Sequence, residues 1–179
     1  MQRYHPLLAA LHWLMALMIV FALAAGGIAL ANMEPDSPDK VKGLGGHIFF
    51  GMAIGVPLIL RLATRTRSAH PPKKAIGSNL VDRLGLWTHW GLYLLFAGMV
   101  LTGLVTAFGA GPFPIAYAGA TETLPPELTD LPQRAAHGFI VAFLMWLIVL
   151  HIAAAQYHQY LFKDGFLGRM WVASLRHGC

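Results

Sequence analysis

The chain has 179 residues, 56% of them hydrophobic and 12% charged, with a mean hydropathy of +0.57; this excludes an ordinary soluble globular domain and leaves room for one membrane domain and no second. The formal net charge is +5, but the basic residues flank apolar stretches instead of forming a patch on a folded face, so no nucleic-acid partner is expected. Cys179 is the single cysteine, which excludes an internal disulfide and a cysteine-built zinc or iron–sulfur site within one chain.

The fold class expected is an all-α membrane protein, a bundle of four transmembrane helices. The first span covers about residues 7–31; no fixed charge lies between Pro6 and Ala31, and roughly 20 apolar residues suffice to cross a bilayer. It is expected to be retained and not cleaved as a leader, because the apolar run is too long, contains His12 and Trp13, and lacks a small-residue cleavage site. A polar loop with Pro35 and Pro38 leads to the second span, about 43–63, ending near Arg61, whose long side chain can reach back to the membrane surface. Residues 64–82 form a basic connection with Lys73 and Lys74. The third span covers about 84–107. A long Gly- and Pro-rich loop follows, carrying Glu122, Glu127 and Asp130, with a short interfacial segment expected around Phe113 to Tyr117. The fourth span covers about 135–162, and a short basic tail ends the sequence.

Four spans put both termini and the loop between spans two and three on one side. That side holds ten basic residues (Arg3, Arg61, Arg65, Arg67, Lys73, Lys74, Arg83, Lys163, Arg169 and Arg176) against Lys40, Lys42 and Arg134 on the other. Cytoplasmic loops carry the excess of Lys and Arg, so both termini are expected in the cytoplasm. Trp13, Trp87, Trp90 and Trp171 fall near span ends on that side, where aromatic belts form.

Histidines carry the functional signal, because an ionisable residue inside the hydrocarbon marks a site by default. His137 and His151 lie 14 residues apart on the fourth span, close to four helical turns, so they share a face about 21 Å apart along the axis. Depth then pairs them with partners: His12 with His151 near the inner surface, His47 with His137 near the outer. Each pair can hold one haem iron between two helices, in a bundle core where cofactors are usually built. With no C-x-x-C-H run, such haem is held without covalent attachment. A zinc site needs three or four close ligands, and this topology separates the pairs by most of the bilayer. Gly51 and Gly55 follow His47 at i+4 and i+8, and Gly26 lies 14 residues after His12; absent side chains there leave room for a flat porphyrin, although Gly51 and Gly55 also suit a small-residue helix contact. His89 and His158 lie at the inner depth and suit hydrogen bonding or proton exchange with a quinone, or contacts to haem carboxylates. Arg61, Arg65 and Arg83 at the same surface suit bidentate pairing with those carboxylates. His5, His70 and His177 fall in polar flanks.

These residues resemble the bacterial cytochrome b561 family over nearly the whole length. The resemblance is carried by Leu11-His12-Trp13, by His47 opening the second span, by the run from His89 to Phe96 in the third, and by Ala136-His137 and Leu150 to Ala155 in the fourth, with His158 and Tyr160 beyond. It implies a four-helix protein of the bacterial inner membrane with two haems b in its core, His12 and His151 ligating one and His47 and His137 the other. It also implies electron exchange with the quinone pool: superoxide oxidised at the outer face and ubiquinone, as substrate, reduced. Lys42 and Arg134, close in sequence to His47 and His137, are candidates for steering the superoxide anion. The outer loops as a whole carry Glu34, Asp36, Asp39, Glu122, Glu127 and Asp130 against Lys40, Lys42 and Arg134, a net of −3, which opposes an anion. The alternative is a cytochrome b subunit that links quinone to a redox protein docked on the outer face, and a third is a non-redox scaffold with a histidine proton path.

Overall fold

The computed structural model describes residues 4–34, 37–68, 79–109, 111–117, 130–163 and 166–170. Lys73, Lys74, His70, Glu122, Glu127, Trp171, Arg176 and His177, and the side chain of Arg169, lie outside the described residues. Those described form helices and no strand: α1 (Pro6–Ala24), continued by a π-helical turn (Ala25–Ala29) and a 3-10 turn (Leu30–Asn32), α2 (Pro38–Arg67), α3 (Asn79–Gly109), α4 (Pro112–Tyr117), α5 (Pro132–Tyr160) and α6 (Phe166–Arg169). Among the described residues, four helices are long and apolar enough to cross a membrane: Pro6–Asn32, Pro38–Arg67, Arg83–Gly109 and Pro132–Tyr160.

Proline at the first helical position opens α1, α2 and α5, where its fixed φ suits the helix and its missing N–H costs nothing. Ser37 caps α2 by accepting from Lys40 N at 3.2 Å, and Arg65 and Arg67 sit in its last turn, where cations favour the helix dipole. These polar turns explain why α2 runs beyond the apolar stretch 43–63 at both ends. Arg61 is consequently not at a helix end. Another turn and a half follows it, and its side chain is directed inward instead of back to the membrane surface.

Helix α1 packs on α2, α2 on α3, and α3 on α5. By contrast, α5 approaches neither α1 nor α2 within 8 Å at any Cα pair, so α5 stands off from the first two spans and long side chains bridge the space. The buried core consists of Met15, Ile19 and Ala22 from α1, Ile54 and Leu58 from α2, Tyr93, Phe96 and Met99 from α3, and Leu144 from α5. Large apolar side chains such as Leu17, Leu94, Phe139 and Trp146 are exposed on the outside of the bundle, the pattern of a lipid-facing surface. The expected interfacial segment is present as α4. Gly111, with φ +82°, makes the reversal into it, and the Tyr117 hydroxyl donates to Gly45 O of α2 at 2.5 Å.

Candidate functional site

One register organises the interior. Each spanning helix contributes three residues at seven-residue steps: His12, Ile19 and Gly26 from α1 and its π turn; Arg61, Ile54 and His47 from α2; His89, Phe96 and Gly103 from α3; His151, Leu144 and His137 from α5. Seven residues are close to two turns, about 10.5 Å of rise, so these form three levels. The middle level, Ile19, Ile54, Phe96 and Leu144, is buried and apolar. It separates two polar levels, one with three histidines and an arginine, the other with two histidines and two glycines.

At the His47 end, the His47 and His137 ring centroids are 6.4 Å apart with planes at 82°. Each ring lies against a glycine of a neighbouring helix. A Cβ added to Gly26 would stand 2.7 Å from His47 Cε1, and one added to Gly103 would stand 3.4 Å from His137 Cε1. The π turn at Ala25–Ala29 carries Gly26 to this close approach, in keeping with the occurrence of such turns at functional sites. His137 Nδ1 lies 3.1 Å from Thr102 Oγ1. His47 Nδ1 is buried without a hydrogen-bond partner among the described residues, an unmet polar requirement beside the second imidazole.

At the His12 end, the His12 and His151 centroids are 6.3 Å apart with planes at 63°. His89 adds a third ring, 5.3 Å from that of His151. Its Nδ1 lies 2.6 Å from Gly85 O, and a carbonyl only accepts, so Nδ1 carries the hydrogen and Nε2 the lone pair. Arg61 reaches His12 Nδ1 at 3.3 Å and donates to the Tyr93 hydroxyl at 2.8 Å; it also lies over the Tyr93 ring, 5.4 Å from its centroid.

A family model described as prokaryotic cytochrome b561 matches residues 3–172. The chain belongs to the prokaryotic cytochrome b561 family. Among curated proteins it is 28% identical over 172 residues to "Probable superoxide oxidase CybB" of Yersinia pestis, covering 94% of this chain and 96% of that protein. It is 29% identical over 177 residues to "Cytochrome b561 homolog 2" of Escherichia coli (strain K12), covering 94% and 91%. Cytochromes b561 transfer electrons in membranes, and membership implies haem b. The imidazole pairs fit that group. An imidazole nitrogen meets a first-row metal at about 2 Å, which sets two rings on opposite sides of one metal roughly 6 Å apart, centroid to centroid. No cluster of three or more His, Cys, Asp or Glu able to hold a metal ion occurs among the described residues. Two imidazoles alone are too few for zinc but suffice where a macrocycle fills the other positions of an iron.

The remaining expected residues are spread more widely. Gly55 lies against Val100 of α3, 3.7 Å from an added Cβ, whereas one added to Gly51 meets nothing within 4 Å. The His158 ring stacks on Phe162, centroids 5.6 Å apart, at the end of α5. Lys42 pairs with Asp39 at 3.9 Å, both strongly exposed, a contact of little energetic weight. Arg134 is exposed and lies along its own helix near Gly138. Sequence reasoning did not single out Gly103, Thr102 or Tyr93, which all lie on α3. The signal for Gly103 was present, since it follows His89 by 14 residues as Gly26 follows His12.

Proposed function

We propose that this chain is a single membrane domain in which His12 and His151 would hold one haem b and His47 and His137 a second. The observation that carries this reading is the pair of metal-sized ring separations, 6.3 and 6.4 Å, at two levels divided by a buried apolar layer. Held between two histidines, haem b would supply a one-electron couple.

The chain's own residues have defined tasks in this reading. Gly26 and Gly103 admit the rings of His47 and His137 to their positions. Gly51 and Gly55 border His47 on its own helix, with Gly51 contributing open space. Arg61 only donates, so its contact makes His12 Nδ1 an acceptor. A neutral His12 that binds a metal through Nε2 would carry its hydrogen on Nδ1, where Arg61 cannot donate; Arg61, which donates to the Tyr93 hydroxyl, would then be available to haem carboxylates. His89, with Nε2 basic, accepts a hydrogen bond from a quinol hydroxyl, and His158 serves proton exchange at the same end.

The donor we favour is superoxide at the His47 end and the acceptor is ubiquinone. Two superoxide anions each lose one electron to give oxygen, and ubiquinone takes two electrons and two protons to give ubiquinol. The name of the Yersinia relative and the two-level arrangement support this. The excess of Lys and Arg on the terminal side supports an inner-membrane orientation with both termini cytoplasmic; Lys42 and Arg134 then lie outside, where they steer the anion locally. A second reading, an electron carrier serving a docked redox protein, is favoured by one feature of the sequence: the net −3 of the loops expected on the outer side, which suits a basic partner better than an anion. Superoxide added to the purified, oxidised protein separates the two. Reduction of the haem bands, reversed by ubiquinone, is expected; bands that superoxide leaves oxidised would remove superoxide as donor.

A further inference from the structure

Thr102 on α3 faces His137 on α5, and two backbone carbonyls compete for its hydroxyl hydrogen. Oγ1 lies 2.8 Å from Gly98 O, 3.1 Å from Met99 O and 3.1 Å from His137 Nδ1. A hydroxyl has one hydrogen and two lone pairs, and both carbonyls can only accept. With the hydrogen on either carbonyl, the oxygen offers a lone pair to His137, and His137 Nδ1 carries the ring hydrogen, for which Met99 O is a second acceptor. A neutral imidazole has a single N–H, so Nε2 is left with the lone pair that a metal requires.

We propose that Thr102 is a positioning residue for the site at the His47 end, fixing the tautomer and orientation of His137 and lowering the reduction potential of the haem held there. This rests on the ligand reading of His137 given above. The β-branched Thr102 has few rotamers in a helix, and its bond back to Gly98 O selects one of them. The acceptor is thus set by α3 alone, before the ring of α5 docks, and Gly103 beside it lets the ring come close. Accepting the Nδ1–H bond makes the imidazole a more basic ligand, and a stronger donor stabilises the oxidised metal. His47 has no such anchor among the described residues: it packs against Gly26. At the other level the group beside His12 Nδ1 is Arg61, 3.3 Å away, which only donates and so offers the Nδ1–H of a ligating His12 no acceptor.

A threonine bonding back to its own helix is common, and Thr106 does the same to Thr102 O at 2.8 Å. What separates Thr102 is the third contact, to a ring 35 residues away. The test is a potentiometric titration of the purified full-length protein, following the haem bands, after its haem content is measured. In Thr102→Val, which keeps the shape and removes the oxygen, one of the two potentials is expected to shift upward while the other stays. Thr102→Ala is expected to do the same if valine perturbs folding, and Thr102→Ser is expected to keep both potentials unchanged. Loss of one haem in Thr102→Val and Thr102→Ala with both retained in Thr102→Ser would equally support the role. Unchanged potentials in Thr102→Val and Thr102→Ala, both potentials moving together, or serine behaving as valine would overturn it. Unsubstituted protein that binds no haem would instead refute the ligand reading itself.

Discussion

Individual side chains decide what fits at each level. Gly26 is the sharpest case, because a Cβ there would stand 2.7 Å from the His47 ring, closer than packed atoms tolerate, and overpacking of this kind costs about 1–3 kcal/mol. Gly26→Val is expected to displace His47 and cost one haem per chain while the other remains, measured by haem quantitation; two haems retained would show that the glycine is not needed for the ring. The four histidines and Gly26 were legible in the sequence because span topology fixes depth, and a histidine or a missing side chain at matching depth stands out in an apolar segment. Thr102 and Tyr93 were not, and Gly103 offered only its 14-residue spacing from His89. Their importance depends on which face of α3 meets α5, and a helix apolar on every side gives periodicity nothing to mark. Arg61 was legible as a residue but misplaced, since hydropathy ended its helix where the chain continues for another turn and a half.

At the level of elements, the spans themselves were readable from apolar length, and their ends were not. Ser37 and Pro38 start α2 ahead of its apolar stretch, and Arg65 and Arg67 extend it beyond. Likewise the π turn at Ala25–Ala29 leaves no trace in composition beyond Gly26-Gly27. The middle apolar level holds the four spanning helices together between the two polar ones. Leu144 is fully buried there, midway between His137 and His151, and is the core residue of α5. Leu144→Ala is expected to cost about 2–5 kcal/mol, the usual range for a buried leucine. It should appear as a lower thermal midpoint in detergent with the haem-to-protein ratio unchanged. An unaltered midpoint would mean that α5 is held by the cofactors and not by this layer.

For the whole molecule, the gap between α5 and the first two spans is the architectural fact that matters. Helix α5 leans on α3 alone among the spanning helices, yet its two histidines meet partners on α1 and α2. Groups seated between the rings would tie α5 to both, joining cofactor binding to bundle assembly. The fold class and the two-level pairing follow from sequence by topology alone; the seven-residue register linking all four helices needed the coordinates, because its third strand of residues lies on α3. The account is tested most directly by the haem content of the purified protein, read from a reduced-minus-oxidised spectrum, alongside His12→Ala and His47→Ala. The expected result is two haems b per chain, with each substitution removing one and leaving a different one behind. Well-folded protein from haem-replete cells with no Soret absorption, or substitutions that remove neither haem, would contradict it.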